Sequence, residues 1–595
     1  MITIESRLAA VRALLVERGY DALVVPRADE YLGEYIPEHN ERLRWISDFT
    51  GSAGTVIILR DKAAIFVDGR YTVQVRQQVC AESFEYHHLI EEPHAQWLAG
   101  ELPEGAKVAY DSRMHSLQWQ RKTESVLAKQ SIQLEAQTDN LIDAAWADRP
   151  AAIIEPAILL GLEYTGESSI DKRKRLASAI KKLGASCALI FAPDSVSWLL
   201  NIRGTDVPKL PLVQSFAMLH ANGEVTIFVH PQRIPQGFAK HVGEGVRVVN
   251  EQEAEAELST YGGKTVLADP AASNAWTQLI LRASGAKLLI AEDPVALAKA
   301  CKNDTEVQGA RNAHIRDAVA EIKFLAWLDR EVAAGRLHDE AQLSDKLLSF
   351  REVGEHFRGL SFDTISAAVG NAAMCHYNYA DNIPAALEMN TVYLLDSGAQ
   401  YTDGTTDITR TVAIGDPGDE IRSMYTLVLK GHIALGTARF PSGTCGSQLD
   451  VLARQFLWSE GFDYDHGTGH GVGAFLSVHE GPQRISKAGG GAALCSGMIL
   501  SNEPGYYRDG QFGIRCENLV VVQPLKGSQG ETPMMHFEVL TLVPFDNRLL
   551  DHSLLAQHEV EWLDAYHARV ADVLEPLLEG DDKRWMINAT RPIAG

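Results

Sequence analysis

The front half of this chain states one pattern twice, and that repetition restricts the fold more than any other feature of the sequence. Arg7-Leu8-Ala9 opens a stretch with Leu8, Val11, Leu14 and Leu15 at helical spacing, which Gly19 stops before an apolar, strand-like run at 22–25. Arg175-Leu176-Ala177 opens the same series, through Ile180 and Leu183 to a stop at Gly184 and an apolar run at 188–191. Two further echoes keep the order: Trp45-x-x-x-Phe49-x-Gly51 answers to Trp198-x-x-x-Ile202-x-Gly204, and Ile65-Phe66-Val67-Asp68-Gly69-Arg70 to Ile227-Phe228-Val229-His230-Pro231-Gln232-Arg233. Coincidence between two amphipathic helices would account for the first match alone. The economical reading is two related αβ domains, each alternating helices with short apolar strands.

After Asp304 the pattern changes. Ile315, Val319, Ile322 and Leu325 mark a long amphipathic helix that opens a third domain. The boundaries fall in polar stretches, giving expected domains at 1–155, 156–303 and 304–595, with Gly489 to Gly491 as a surface loop of the third. Composition supports a folded, soluble chain: 46% of its 595 residues are hydrophobic and 22% charged, which excludes rods and general disorder. The formal charge of −23 repels nucleic acid and anionic membrane surfaces, so neither is an expected partner. The seven cysteines are scattered, odd in number and never spaced C-x-x-C, as free thiols in a reducing compartment would be. Charges at Glu5, Arg7, Arg12, Glu17 and Arg18 break up the N-terminal stretch and no apolar run is long enough for a membrane span, so a cytoplasmic location is expected.

The third domain concentrates carboxylates and histidines. A strand-like run ends at Asp396-Ser397-Gly398, and Asp403-Gly404 signals a turn before a second run at 405–414. A hairpin there pairs Asp396 roughly with Asp407, and two facing carboxylates repel unless a cation lies between them. Either aspartate alone reads equally well as a turn residue. Glu503 closes the apolar strand 498–502, while 513–522 reads as one strand on which Arg515, Glu517 and Leu519 share a face. A salt bridge to Arg515 would explain Glu517 without function, but would leave Glu503 unexplained. His466, His470 and His479 lie within fourteen positions, with His376 upstream. The helical zinc motif H-E-x-x-H is absent, and Gly469-x-Gly471-x-Gly473 has neither dinucleotide nor P-loop spacing. The glycines are read instead as letting backbone pass close to a metal-bound substrate.

The order His376, Asp396, Asp407, His470, His479, Glu503, Glu517 resembles the pita-bread metallopeptidases, which include methionine aminopeptidase, prolidase, creatinase and aminopeptidase P. The strings DSGAQYTDGTTDITRT, HGTGHGVGAFLSVHEGP, NEPGYY and FGIRCEN are similar to the aminopeptidase P branch. The resemblance covers nearly the whole chain. It implies an α/β (α+β) architecture: two creatinase-like N-terminal domains, then a pita-bread catalytic domain with a C-terminal extension from His536 to Gly595. It also implies that Asp396, Asp407, His470, Glu503 and Glu517 bind two divalent ions, bridged by Asp407 and Glu517. Manganese is the family's expected metal, and the mostly oxygen donors also suit cobalt or zinc.

The implied activity is removal of one N-terminal residue from peptides with proline second, by a hydroxide held between two ions about 3.5–4 Å apart. Glu503 would act as general base and then acid, with His376 and His479 on the substrate and the tetrahedral intermediate. His466 would line the proline pocket, Tyr507 and Arg515 would support the site, and Arg70 would reach substrate from the first domain. The large members of the family imply a homodimer. Two alternatives remain at this point: prolidase, which uses the same ligands on dipeptides, and a non-catalytic pita-bread scaffold that binds peptide or histone.

Overall fold

A computed structural model of the chain describes residues 3–137, 139–527 and 530–593. The outer ends of the expected first and third domains, 1–2 and 594–595, lie outside these residues. Backbone contacts divide the chain into two units, Met1–Gly161 with Glu167–Ala296, and Leu162–Gly166 with Leu297–Gly595.

The first unit contains two six-stranded sheets of one topology. In the first sheet Ala22–Pro26 pairs antiparallel with Thr55–Leu59 on one side and parallel with Lys107–Tyr110 on the other. Ala63–Val67 and Glu85–His88 continue one flank and Gln133–Ala136 the other. In the second sheet Cys187–Ile190 takes the central place, with Ser215–His220 antiparallel and Thr265–Ala268 parallel to it. Val225–Val229, Val246–Asn250 and Lys287–Ile290 complete the same order. The repeated motifs occupy matching places. The helices Arg42–Ser47 and Pro193–Leu200 both end in left-handed backbone, at Asp48 (φ 60°) and Asn201 (φ 53°), each three residues after its tryptophan. Gly51 and Gly204 follow in equally tight settings: a Cβ would lie 2.3 Å from the Phe49 ring in one and 2.5 Å from the Leu212 carbonyl in the other.

The second unit opens on the helix Asp304–Ala333, started by a reciprocal cap between Asn303 and Glu306. Its apolar stripe is the one the spacing predicts. Ile322, Leu325 and Leu328 pack into a core shared with Leu343, Val392, Leu395, Val428 and Leu563. A three-stranded antiparallel sheet orders Ile365–Ala368, Thr391–Ser397 and Ile408–Ile414. A six-stranded antiparallel sheet orders Arg439–Pro441, Met534–Val539, Asn518–Pro524, Ile499–Asn502, Gly469–Gly471 and Glu480–Ile485. His536 lies inside a sheet strand, so the C-terminal extension expected from His536 begins as part of the six-stranded sheet. Tyr566, on the helix Gln557–Leu574, reaches back to the Val543 carbonyl at 2.8 Å. Among the described residues no helix is long and apolar enough to cross a membrane.

Candidate metal centre

The hairpin from 391 to 414 supplies two carboxylates. Its register sets Asp396 opposite Thr409, not opposite Asp407 as the sequence reading had it. The pairing Gln400↔Thr405 beyond shows one continuous register, so Asp407 lies two residues further on, diagonal to Asp396 and on the same face. The expected strand 513–522 is also broken. Phe512–Arg515 pairs with Gly505–Arg508 in a two-stranded sheet, and Asn518–Pro524 joins the six-stranded one. The chain changes sheets at Cys516 and Glu517, whose amides donate to Pro504 at 3.2 Å and Thr409 at 3.3 Å. Buried Arg410 holds this corner by donating to the Glu517 and Val543 carbonyls and to the Thr409 carbonyl at 2.9 Å. Glu503 follows Ile499–Asn502, its amide donating to the Thr468 carbonyl at 2.8 Å.

These elements bring four carboxylates and one imidazole together. Ligand atoms of Asp407, His470 and Glu517 all lie within 4.8 Å of one another. His470 Nε2 is 3.4 Å from Asp407 Oδ2 and 3.4 Å from Glu503 Oε1. His470 Nδ1–H donates to the Gly471 carbonyl at 2.9 Å, which turns Nε2 toward the acids. Glu517 Oε2 accepts from the Thr409 hydroxyl at 2.6 Å, whereas Glu517 Oε1 and Asp396 Oδ1 are buried with no hydrogen-bond partner. A buried carboxylate oxygen without a donor costs on the order of 1–3 kcal/mol, and more when charged. Oxygens left over in this way, beside one imidazole and no thiolate, fit hard divalent cations.

The electrostatics agree. Burial, with Asp407 and Glu503 nearby and Arg515 opposing, lifts the Asp396 carboxyl to about 7. Burial and three neighbouring acids push Glu517 well above the carboxylate range. Burial would depress His470, but Asp407 and Glu503 outweigh it and raise the ring to about 9. Burial would likewise raise Glu503, and His470, His466 and Arg515 outweigh it and hold this carboxyl low. The cluster is a set of mutually repelling acids that positive charge stabilises.

Around it runs a chain of hydrogen bonds. Arg515 pairs with Asp396, so the alternative of an Arg515–Glu517 bridge is not what forms. Arg515 Nη1 donates to the Tyr507 oxygen at 2.7 Å, and the Tyr507 hydroxyl donates to His466 Nε2 at 2.8 Å. Burial lifts the phenol far above its ordinary range and depresses His466 to about 4, so Tyr507 stays a donor and His466 stays neutral. The His479 ring packs edge-on against His470, with centroids 4.4 Å apart. His376 is half-buried in the loop after the short helix Val369–Ala373, and its neighbour Cys375 faces Tyr507. Arg70 belongs to the first unit, where its guanidinium pairs with Asp68 at 2.7 Å.

Several residues of the site escaped the sequence reading. Arg454, fully buried on Asp450–Ser459, pairs with Asp450 at 2.7 Å and donates to the carbonyls of Tyr464 at 2.6 Å and His466 at 2.9 Å. It thereby fixes the loop that presents His466. His432 donates from Nδ1 to the Asn502 carbonyl at 3.0 Å and the Cys516 carbonyl at 3.1 Å, tying together the segments that carry Glu503 and Glu517. The signal for Arg454 was an i, i+4 pair with Asp450 on a helix, a spacing shared with many exposed pairs. The glycines of 467–473 also have another role than expected. A Cβ on Gly469 would lie 2.0 Å from the Ser501 carbonyl and one on Gly471 2.2 Å from the Glu480 carbonyl, so these positions admit neighbouring strands, not substrate.

Comparison with known proteins agrees with this geometry. Residues 308–524 match metallopeptidase family M24, and 533–593 match the C-terminal region of M24 peptidases. The creatinase/prolidase N-terminal domain matches twice, at 7–143 and 148–306. A probable Xaa-Pro aminopeptidase P of Tuber melanosporum is 39% identical over 99% of both chains. Aminopeptidase P1 of Arabidopsis thaliana is 36% identical over 99% of both. The crystal structure of X-prolyl aminopeptidase from Caenorhabditis elegans, described as a cytosolic enzyme with a di-nuclear active site, superposes with a TM-score of 0.94 at 34% identity, covering all of both chains. Full-length identity at this level, with the duplicated creatinase-type segments ahead of an M24 domain, shows that the chain belongs to the Xaa-Pro aminopeptidase P family.

Proposed function

We propose that this chain is a metal-dependent aminopeptidase that releases the N-terminal residue from peptides with proline in second place. One observation carries the reading: a chain related end to end to Xaa-Pro aminopeptidases keeps Asp407, His470 and Glu517 with ligand atoms within 4.8 Å, and Asp396 and Glu503 beside them. Asp396, Asp407, His470, Glu503 and Glu517 would hold two divalent ions. Manganese is the proposed metal. When bound, such ions acidify water and polarise a carbonyl.

The chain's own groups do the rest. Glu503, held low by His470, His466 and Arg515 against its burial, accepts a proton at Oε1 and returns it to the leaving nitrogen. Arg515 fixes the Asp396 carboxylate and through Tyr507 orients His466, which burial keeps neutral. His466 lies against the rings of Tyr464 and Tyr507, at centroid distances of 4.8 and 5.3 Å. This half-aromatic wall suits proline, whose ring is apolar and whose nitrogen offers no hydrogen to a backbone-reading site. His479 and His376 are the proposed substrate contacts, and Arg70 is proposed as one on the resemblance alone. The domains proposed are 1–155, 156–303 and 304–595, in a cytosolic homodimer. The test compares tripeptide Arg-Pro-Pro with dipeptide Ala-Pro. Release of arginine from the tripeptide supports the reading, whereas cleavage confined to the dipeptide makes the protein a prolidase.

A further inference from the structure

Behind the hairpin that bears Asp396 and Asp407 lies a second ionic cluster, wholly buried and separate from the five donors. Asp317 and Glu321 project from the long helix Asp304–Ala333, and Arg351 ends the helix Glu340–Arg351. Arg351 grips Asp317 with both arms, Nε to Oδ1 at 2.7 Å and Nη2 to Oδ2 at 3.1 Å, and reaches Glu321 at 2.8 Å. Its remaining arm, Nη1, donates to the Ser397 hydroxyl. Asp317 in turn accepts from the Thr406 hydroxyl at 2.8 Å and from Tyr401 at 3.0 Å.

Ser397 and Thr406 are the chain neighbours of Asp396 and Asp407. Alternation along a strand turns their side chains to the opposite face of the hairpin. The cluster thus grips both strands from behind, at the two positions that set where the aspartates stand. The strands are pressed together there: a Cβ on the intervening Gly398 would lie 2.1 Å from the Thr406 carbonyl and 2.3 Å from the Ser361 hydroxyl. Desolvating two acids and one arginine is a poor way to gain stability, since apolar packing of equal volume does as well or better. What the cluster supplies is fixed geometry.

We propose that Asp317 and Arg351 are positioning residues that set the separation of the Asp396 and Asp407 carboxylates, and so the affinity of the site for its pair of ions. The inference rests on the two-metal reading above. It is tested by calorimetric titration of chelator-treated full-length protein with manganese, alongside thermal unfolding of the same metal-free samples. Thr406→Val and Ser397→Ala each remove one hydroxyl of the grip at nearly constant volume, and Arg351→Met removes its centre. The expected result is a loss of about 10- to 100-fold in affinity for at least one ion in each hydroxyl variant, with a larger loss in Arg351→Met. Lowered melting temperature with unchanged metal affinity in all three variants would make the cluster merely structural and overturn the inference. A wild-type chain that binds two ions beside variants of equal affinity overturns it alone, whereas a wild-type chain that takes up no manganese overturns the metal reading with it.

Discussion

His470 shows how much chemistry one side chain of this site concentrates. Among the protein's own groups it keeps its proton up to about pH 9, and Asp396 keeps its own up to about 7, because burial and neighbouring acids outweigh the opposing arginine. A cation needs the imidazole neutral and the carboxylates charged. Metal uptake near neutral pH therefore releases protons, and affinity falls as pH drops through the Asp396 value. Calorimetry in two buffers of different ionisation enthalpy measures this: net proton release is expected, and a heat independent of buffer would contradict it. Asp407→Asn and Glu517→Gln should each weaken metal binding more than about 100-fold, beyond what loss of an outer partner costs, and abolish turnover while circular dichroism stays native. The convergence of Asp407, His470 and Glu517 was legible because their flanking strings are distinctive. Arg454, Thr409 and His432 were not, since each works through backbone carbonyls or hydroxyls brought close only by folding.

At the scale of elements, local periodicity located several strands and helices but not their partners. The helix stripe at Ile322 and Leu325 and the strand before Glu503 stand where spacing puts them. The hairpin register missed by two residues because pairing Asp396 with Asp407 centres the turn between 401 and 402, whereas Thr402 and Asp403 form it, one position later. The strand 513–522 looked continuous because nothing in its apolar pattern records the change of sheet at Glu517, which tertiary bonds from Thr409 and Arg410 enforce. The glycine run was misread for the same reason, since its crowding comes from strands distant in sequence. Gly469→Ala should lower stability by about 1–3 kcal/mol or more, as overpacking does, because the Ser501 carbonyl is 2.0 Å from where the methyl would stand. Urea unfolding reads this directly, and an unchanged midpoint would mean the strands separate at no cost.

For the whole molecule, the repeat was the most legible feature: three echoing motifs anticipated two sheets with the same strand order. The division by contacts was less so, because both sheets fall in one unit and the proposed metal ligands all fall in the other. Ligands stabilise what they bind in proportion to RT ln(1 + [L]/Kd), about 2.7 kcal/mol at a hundredfold excess over Kd. Chelation should therefore lower the thermal transition of the second unit and leave that of the first in place. Scanning calorimetry with and without manganese distinguishes this from a uniform shift of the whole profile. The central claim, that a pair of ions held by Asp396, Asp407, His470, Glu503 and Glu517 drives cleavage before proline, is tested most directly by titrating manganese into chelated enzyme. Ions bound per chain and arginine released from Arg-Pro-Pro are followed together. The account predicts negligible release at zero metal and activity that reaches its plateau as the second ion binds. Full activity in the chelated protein, or activity indifferent to bound metal, would contradict it.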